Sequence, residues 1–211
     1  MKKIKYVFLG DSITDAGRDY SNHHDMGHGY PKYASEIITS EHTDKEFEFF
    51  NFGISGNRTS QLFDRLYTDA LVFEPDVISV LIGINDIWHR WMSDIKIATT
   101  YEQIELNYRC ILERIRRESN AKIVMMSPFM LDTPLHPNLR KDLPQLISIV
   151  RNLADEFADV FIPLDKHFEE AMKTQPTALY YSDDGVHPNE NGSAFIGKLY
   201  SKAVAPLINS L

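Results

Sequence analysis

Cysteine is almost missing from this chain: Cys110 is the one thiol in 211 residues, so no intrachain disulfide can form and the core must hold the fold. Its apolar-periodic setting predicts a buried, inert thiol, and the scarcity of cysteine suits a reducing compartment. Long apolar runs are missing too. None approaches the roughly 20 residues of a membrane span. The short run behind Lys2 and Lys3 is broken by Lys5 and ends at Gly10-Asp11-Ser12, too short for a secretory apolar core. A cytoplasmic protein without membrane contact is the expectation. Basic clusters are absent: 22 Lys and Arg against 30 Asp and Glu leave a formal charge of −8, which speaks against a phosphate-backbone footprint and hence against nucleic acid as a partner. There is no His-Glu-x-x-His pair, no phosphate-cradling Gly-rich loop, no internal repeat and no low-complexity tract.

What is present describes one globular domain over residues 1–211, with 43% apolar and 25% charged content. Short apolar runs read as strands at Ile4 to Leu9, Phe47 to Phe52, Val77 to Ile82, Lys122 to Met126 and Val160 to Leu164. Segments of helical length fall between them, at Pro31 to Ser40, Ser60 to Leu71, Tyr101 to Glu118 and Leu143 to Phe157, with a last from Asn189 to Asn209. In the third, Ile104, Tyr108, Ile111, Leu112 and Ile115 share one face, and Thr99 with Glu102 fits a capping box. Pro188 or Asn189 is expected to open the last helix, and Pro206 to end or kink it. Strand alternating with helix predicts an α/β fold, a three-layer αβα sandwich on a five-stranded parallel sheet, because parallel strands need crossovers that lay helices on both faces. The flavodoxin-like order 2-1-3-4-5 is expected, with ligands bound beyond the carboxyl ends of the strands, where strand order reverses.

That rim collects the chemistry. Ser12 follows the first strand, Ile54-Ser55-Gly56-Asn57 the second and Gly83-Ile84-Asn85-Asp86 the third. Asp184-Gly185-Val186-His187-Pro188 follows the fifth strand after an excursion, in a loop that can reach back over the rim. A serine hydroxyl becomes a useful nucleophile at neutral pH only when a base takes its proton, and an imidazole oriented by a carboxylate is the usual arrangement. The Gly-x-Ser-x-Gly elbow is absent, which argues against the α/β-hydrolase architecture. His23, His24, Asp25 and His28 share a loop without the regular spacing of metal ligands, so a solvated loop and no metal are expected there.

The four blocks, Gly10-Asp11-Ser12, Gly56 within Ile54-Ser55-Gly56-Asn57, Gly83-Ile84-Asn85-Asp86 and Asp184-Gly185-Val186-His187-Pro188, occur in order over most of the chain. In this the chain resembles the SGNH hydrolases, also called the GDSL esterase and lipase family. The resemblance implies Ser12 as nucleophile, His187 as general base and then acid, and Asp184 as the group that orients His187. Asp184 is preferred to Asp183 because it matches the family's Asp-x-x-His pattern. The resemblance also implies an oxyanion hole made of the backbone N–H groups of Ser12 and Gly56 and the side-chain amide of Asn85, with neither metal nor organic cofactor. Donors already aimed at the developing charge stabilise it without reorganising.

Within the family, Gly10 to Arg18 and Gly83 to Trp91 are similar to the cytoplasmic acetylxylan esterases. That similarity implies a small-molecule ester as substrate, an acetylated sugar such as a xylo-oligosaccharide, and a homo-oligomeric assembly. Asp11 and Trp88 are the candidate substrate-binding residues, Trp88 by laying its indole on a sugar ring. Trp91 is expected to pack in the core or an oligomer interface. Two alternatives stand beside this reading: a lysophospholipase or thioesterase-type acyl hydrolase, and a non-catalytic sugar- or acyl-binding protein whose hydrolytic groups are idle.

Overall fold

The computed structural model describes residues 3–91, 98–175 and 177–211. Alternation along the strands decides the layers. In β1 (Ile4–Gly10), Tyr6 and Phe8 enter one core while Val7 and Leu9 enter another, since successive side chains of a strand point to opposite faces. The same division separates Val77 and Leu81 from Ile78 and Val80 in β3 (Val77–Leu81), and Val124 and Met126 from Ile123 and Met125 in β4 (Lys122–Met126). With β2 (Phe47–Gly53) and β5 (Val160–Ile162) these strands form one parallel sheet in the order β2-β1-β3-β4-β5, the expected order.

Helices cover both faces. On the Tyr6 side lie α2 (Tyr30–Glu41), α7 (Leu164–Ala171) and α8 (Glu190–Asn209), which bury Ala34 and Ile38, Leu164 and Phe168, and Ile196 and Val204. On the Val7 side lie α3 (Thr59–Asp69), α5 (Tyr101–Glu118) and α6 (Pro137–Phe157), which bury Leu62 and Leu66, Ile104 and Ile111, and Leu146 and Val150. Two further helices, α1 (Ser12–Asp15) and α4 (Ile84–Trp88), are single turns at the carboxyl ends of β1 and β3.

Several boundaries differ from the sequence reading, each for a local reason. β5 stops at Ile162 because Pro163 has no N–H for the ladder, and Leu164 already opens α7, a helix of 8 residues that the reading did not include. α6 begins at Pro137, ahead of Leu143, since proline suits a first helical position and Leu139, Leu143 and Leu146 form one continuous buried stripe. Pro206 lies inside α8 and does not end it. The capping box of α5 sits one residue later than expected: Gln103 N donates to Thr100 Oγ1 at 3.2 Å, and Thr100 N donates to Gln103 Oε1 at 2.9 Å. Cys110 is half-buried, not buried. Among the described residues no helix is long and apolar enough to cross a membrane.

One contact brings the chain's two ends together. α8 lies so close to α2 that a Cβ at Gly197 would stand 2.5 Å from Tyr33 Cβ. Beside it, Tyr200 OH donates to Tyr6 OH at 3.2 Å. Asn189 caps α8, accepting from Gly192 N at 3.2 Å, so the loop before it is delivered to the carboxyl end of β1.

Candidate active site

The serine is placed by close approach. β1 ends at Gly10, where a Cβ would lie 2.1 Å from Thr14 Oγ1 and 2.6 Å from Leu81 O. Any side chain there would push α1 off the strand end. Its pairing partner on β2, Gly53, is equally crowded, 2.1 Å from Asp15 N. Asp11 then caps α1, accepting from Ile13 N at 3.1 Å, and Ser12 is the first helical residue. Buried Asn51 secures the turn by donating from Nδ2 to Thr14 O at 2.9 Å and to Met26 O at 3.2 Å.

The second and third blocks are tied to the first. Asp15 Oδ2 accepts from Tyr20 OH at 2.5 Å and from Ser55 N and Oγ at 2.9 and 2.5 Å. Burial pushes the Asp15 carboxyl up, but the bonds from Ser55 and Tyr20 outweigh it and hold the group below its ordinary value. The next residue, Gly56, has φ +80 with open space around it, so glycine serves the left-handed backbone there. Asn85 sits in α4 and donates from Nδ2 to Asn57 O at 3.1 Å. Its neighbour Asp86 is fully buried and accepts from Thr59 N and Oγ1, both at 2.9 Å, which anchors α4 to the start of α3.

The last block is a loop folded on its own side chains. Asp184 Oδ1 accepts from Val186 N at 2.8 Å and from His187 N at 2.7 Å, while Oδ2 meets His187 Nδ1 at 2.6 Å. Ser182 Oγ donates to His187 O at 2.7 Å and accepts from Gly185 N at 2.9 Å. Burial works to raise the Asp184 pKa, yet the hydrogen bonds from the His187 ring and the loop amides prevail and bring it down to about 2. The other ring nitrogen, His187 Nε2, lies 2.9 Å from Ser12 Oγ across 175 residues of chain.

A cleft of about 560 Å³ opens over this contact, lined by Ser12, Gly56, Asn85, Trp88 and His187 among others. Trp88 stands between two imidazoles, its ring centroid 5.5 Å from His187 and 4.8 Å from His136. A second cavity of about 510 Å³ shares Ala16 and Pro188 with the first and adds His28, Lys32, Tyr33 and Glu190. Ser12, Gly56, Asn85, Asp184, His187 and Trp88 are thus brought together. Asp11, expected to touch substrate, is instead walled in at 1% exposure, and burial pushes its carboxyl up to about 7.

Asp183 is exposed and Asp184 faces the imidazole. Trp91 is half exposed, with Nε1 donating to Asp142 Oδ2 at 3.0 Å, and so does not pack in the core. In the histidine loop, the rings of His23 and His24 rest on Phe52 and Phe50. No group of three or more His, Cys, Asp or Glu among the described residues could hold a metal ion. Sequence reasoning missed Asp15 and Asn51. Asp15 carried a signal, lying three positions after Ser12 on the same helical turn.

Comparison with known proteins gives a consistent set of relatives. The model of the GDSL-like lipase/acylhydrolase family matches residues 8–195. An acetylxylan esterase of Geobacillus stearothermophilus is 28% identical over 208 residues, 95% of this chain and 93% of that protein. The thioesterase 1/protease 1/lysophospholipase L1 of Escherichia coli (strain K12) is 28% identical over 207 residues, 96% of this chain and 84% of that protein. Among solved structures, a GDSL-like lipase from Parabacteroides merdae aligns with a TM-score of 0.90 at 32% identity, covering 97% of this chain and 96% of that one. The G. stearothermophilus acetylxylan esterase aligns with a TM-score of 0.85 at 26% identity, covering 95% and 94%.

Proposed function

The chain belongs to the GDSL-like lipase/acylhydrolase family and is an acylhydrolase of that type; we propose that it is a serine esterase removing small acyl groups, above all O-acetyl groups on carbohydrates, through an acyl-serine intermediate. The observation that carries this reading is the pair of contacts from Ser12 Oγ through His187 to Asp184, at 2.9 and 2.6 Å. Asp184, held at about 2, is ionised and can only accept. The ring proton therefore sits on Nδ1, and Nε2 accepts from the Ser12 hydroxyl.

Each step follows from that tautomer. His187 takes the hydroxyl proton as Oγ attacks the ester carbonyl, and the oxyanion meets the N–H groups of Ser12, Gly56 and Asn85. One N–H of the Asn85 amide is engaged by Asn57 O, which fixes the amide plane and leaves the second for substrate. His187 returns the proton to the departing alcohol. Water, deprotonated by the same nitrogen, then attacks the acyl-serine and releases the acid.

The surroundings of Ser12 support a short acyl group, because its apolar neighbours in the cleft are the four side chains Ile13, Ala16, Trp88 and Pro188. The adjoining cavity supports a hydroxyl-rich alcohol, since His28, Lys32, Tyr33 and Glu190 offer donors and acceptors together. The relatives named acetylxylan esterases point the same way. The E. coli relative, named a thioesterase and lysophospholipase, supports the longer-chain reading.

One experiment separates these readings: wild type and Ser12→Ala assayed on acetylated xylo-oligosaccharides and on 4-nitrophenyl acetate, octanoate and palmitate. Acetyl esters are expected to turn over fastest, with Ser12→Ala slower by a factor on the order of 10⁴ or more. Near wild-type rates in Ser12→Ala would remove Ser12 from its role. Turnover rising with chain length would favour the lysophospholipase or thioesterase reading. An inactive wild type that no fluorophosphonate labels would leave a sugar- or acyl-binding protein.

A further inference from the structure

Behind the cleft, on α3, one guanidinium ties the strand end before Ser12 to the end of β2 and to the side chain of Asn57, whose carbonyl in turn holds the Asn85 amide. Arg65 Nη2 donates to Gly10 O at 2.9 Å, two residues before Ser12. Its Nη1 donates to Phe52 O at 2.7 Å, at the end of β2, and its Nε donates to Asn57 Oδ1 at 2.8 Å, beside Gly56. Asn57 in turn offers its carbonyl to the Asn85 amide at 3.1 Å. The outer edge of the same group is pinned by Asp69, 2.7 Å from Nη1. The side chain is only 13% exposed, and none of these partners is a catalytic group.

We propose that Arg65 is a positioning residue that sets the mutual geometry of the Ser12, Gly56 and Asn85 donors. A guanidinium is a planar fork with fixed angles between its N–H bonds, so three acceptors bound to one fork keep fixed distances from each other. Strand pairing alone locates Gly10 against Gly53, but it does not fix the loop from Ile54 to Asn57, whose amide must point into the cleft. Lysine would keep the charge and the pair with Asp69 yet offer one point in place of a fork. Because a misplacement of about 1 Å can cost about a hundredfold in rate, the effect falls on the transition state and spares substrate binding.

The inference rests on the esterase reading, so wild type and Ser12→Ala are assayed on 4-nitrophenyl acetate alongside Arg65→Lys, Asn57→Ala and the double variant. In Arg65→Lys, kcat is expected to fall about a hundredfold with KM within about twofold. Affinity for phenylboronic acid, which adds to Ser12 Oγ as a tetrahedral anion, should fall by a similar factor. The acid limb of the pH profile should not move, since the His187 and Asp184 contact is untouched. Asn57→Ala removes one arm and keeps the carbonyl that Asn85 needs. It should show a smaller loss in the same parameter, and the double variant should lose little beyond Arg65→Lys.

A folded Arg65→Lys with wild-type kcat overturns the proposal, as does a loss confined to KM or a loss of kcat without loss of boronate affinity. Should Arg65→Lys not fold, Asn57→Ala decides alone by the same three readouts. An inactive wild type defeats the esterase reading. An active wild type with a dead Ser12→Ala and a fully active Arg65→Lys defeats only the role of Arg65.

Discussion

Asp11 occupies an unfavourable place for a carboxylate. It is enclosed beside Ser12, and burial raises its pKa to about 7 from an ordinary 3.8, with Asp86 adding to the rise and Ile13 N and His187 opposing it. As pH climbs from 3.8 to about 7, the unfolded chain releases this proton and the folded protein keeps it, so stability falls across that window and stays low above it. Asparagine caps a helix equally well. Asp11→Asn should therefore exceed wild type in stability by about 2–4 kcal/mol at pH 8 and match it near pH 4, as read from Tm at the two pH values. Parallel curves would contradict it. Asp184 behaves in the opposite sense: lowered to about 2, its contribution is complete above 3.8 and lost as pH falls towards 2.

Elements carry a different kind of compromise. α6 runs through Pro144, which has no N–H to offer the carbonyl of Arg140. An interior proline costs a helix about 3 kcal/mol, part of which is returned by a stiffer unfolded chain. Pro144 is exposed, so Pro144→Ala is expected to stabilise by about 1–2 kcal/mol and raise Tm by roughly 3–6 °C, measured by calorimetry. A lower Tm would mean that chain stiffness outweighs the missing bond. The same helix shows what the sequence could tell. The apolar pattern places its start at Leu143; the buried stripe from Leu139 onward, a tertiary feature, carries the helix back to Pro137. β1 to β4 were legible because apolar runs of strand length announce themselves. α1, α4 and α7 were not, being 4, 5 and 8 residues long and set by strand-end glycines or by Pro163. Arg65 was equally hidden, since three of its acceptors converge only once β1, β2 and the Asn57 loop are folded.

For the whole molecule, the decisive fact is that residues 175 positions apart meet. Strand order was readable from alternation and from the rule that crossovers cover both faces, and the four blocks fell where that rule puts ligands. The close seating of α8 on α2 was not readable, because nothing near Gly197 in sequence points to Tyr33. Gly197→Ala should cost about 1–3 kcal/mol through overpacking and lower kcat as α8 carries His187 away from Ser12. Thermal melts and 4-nitrophenyl acetate kinetics check both, and an unchanged kcat would show that the loop holds its place without α8.

Ser182 closes the Asp184 to His187 loop on itself before it touches the rest of the site. The carboxylate and the imidazole are therefore aligned by their own loop, which Leu131 N, donating to Gly185 O at 2.8 Å, also ties to the segment after β4. What the rest of the fold has left to set is the gap between that loop and Ser12.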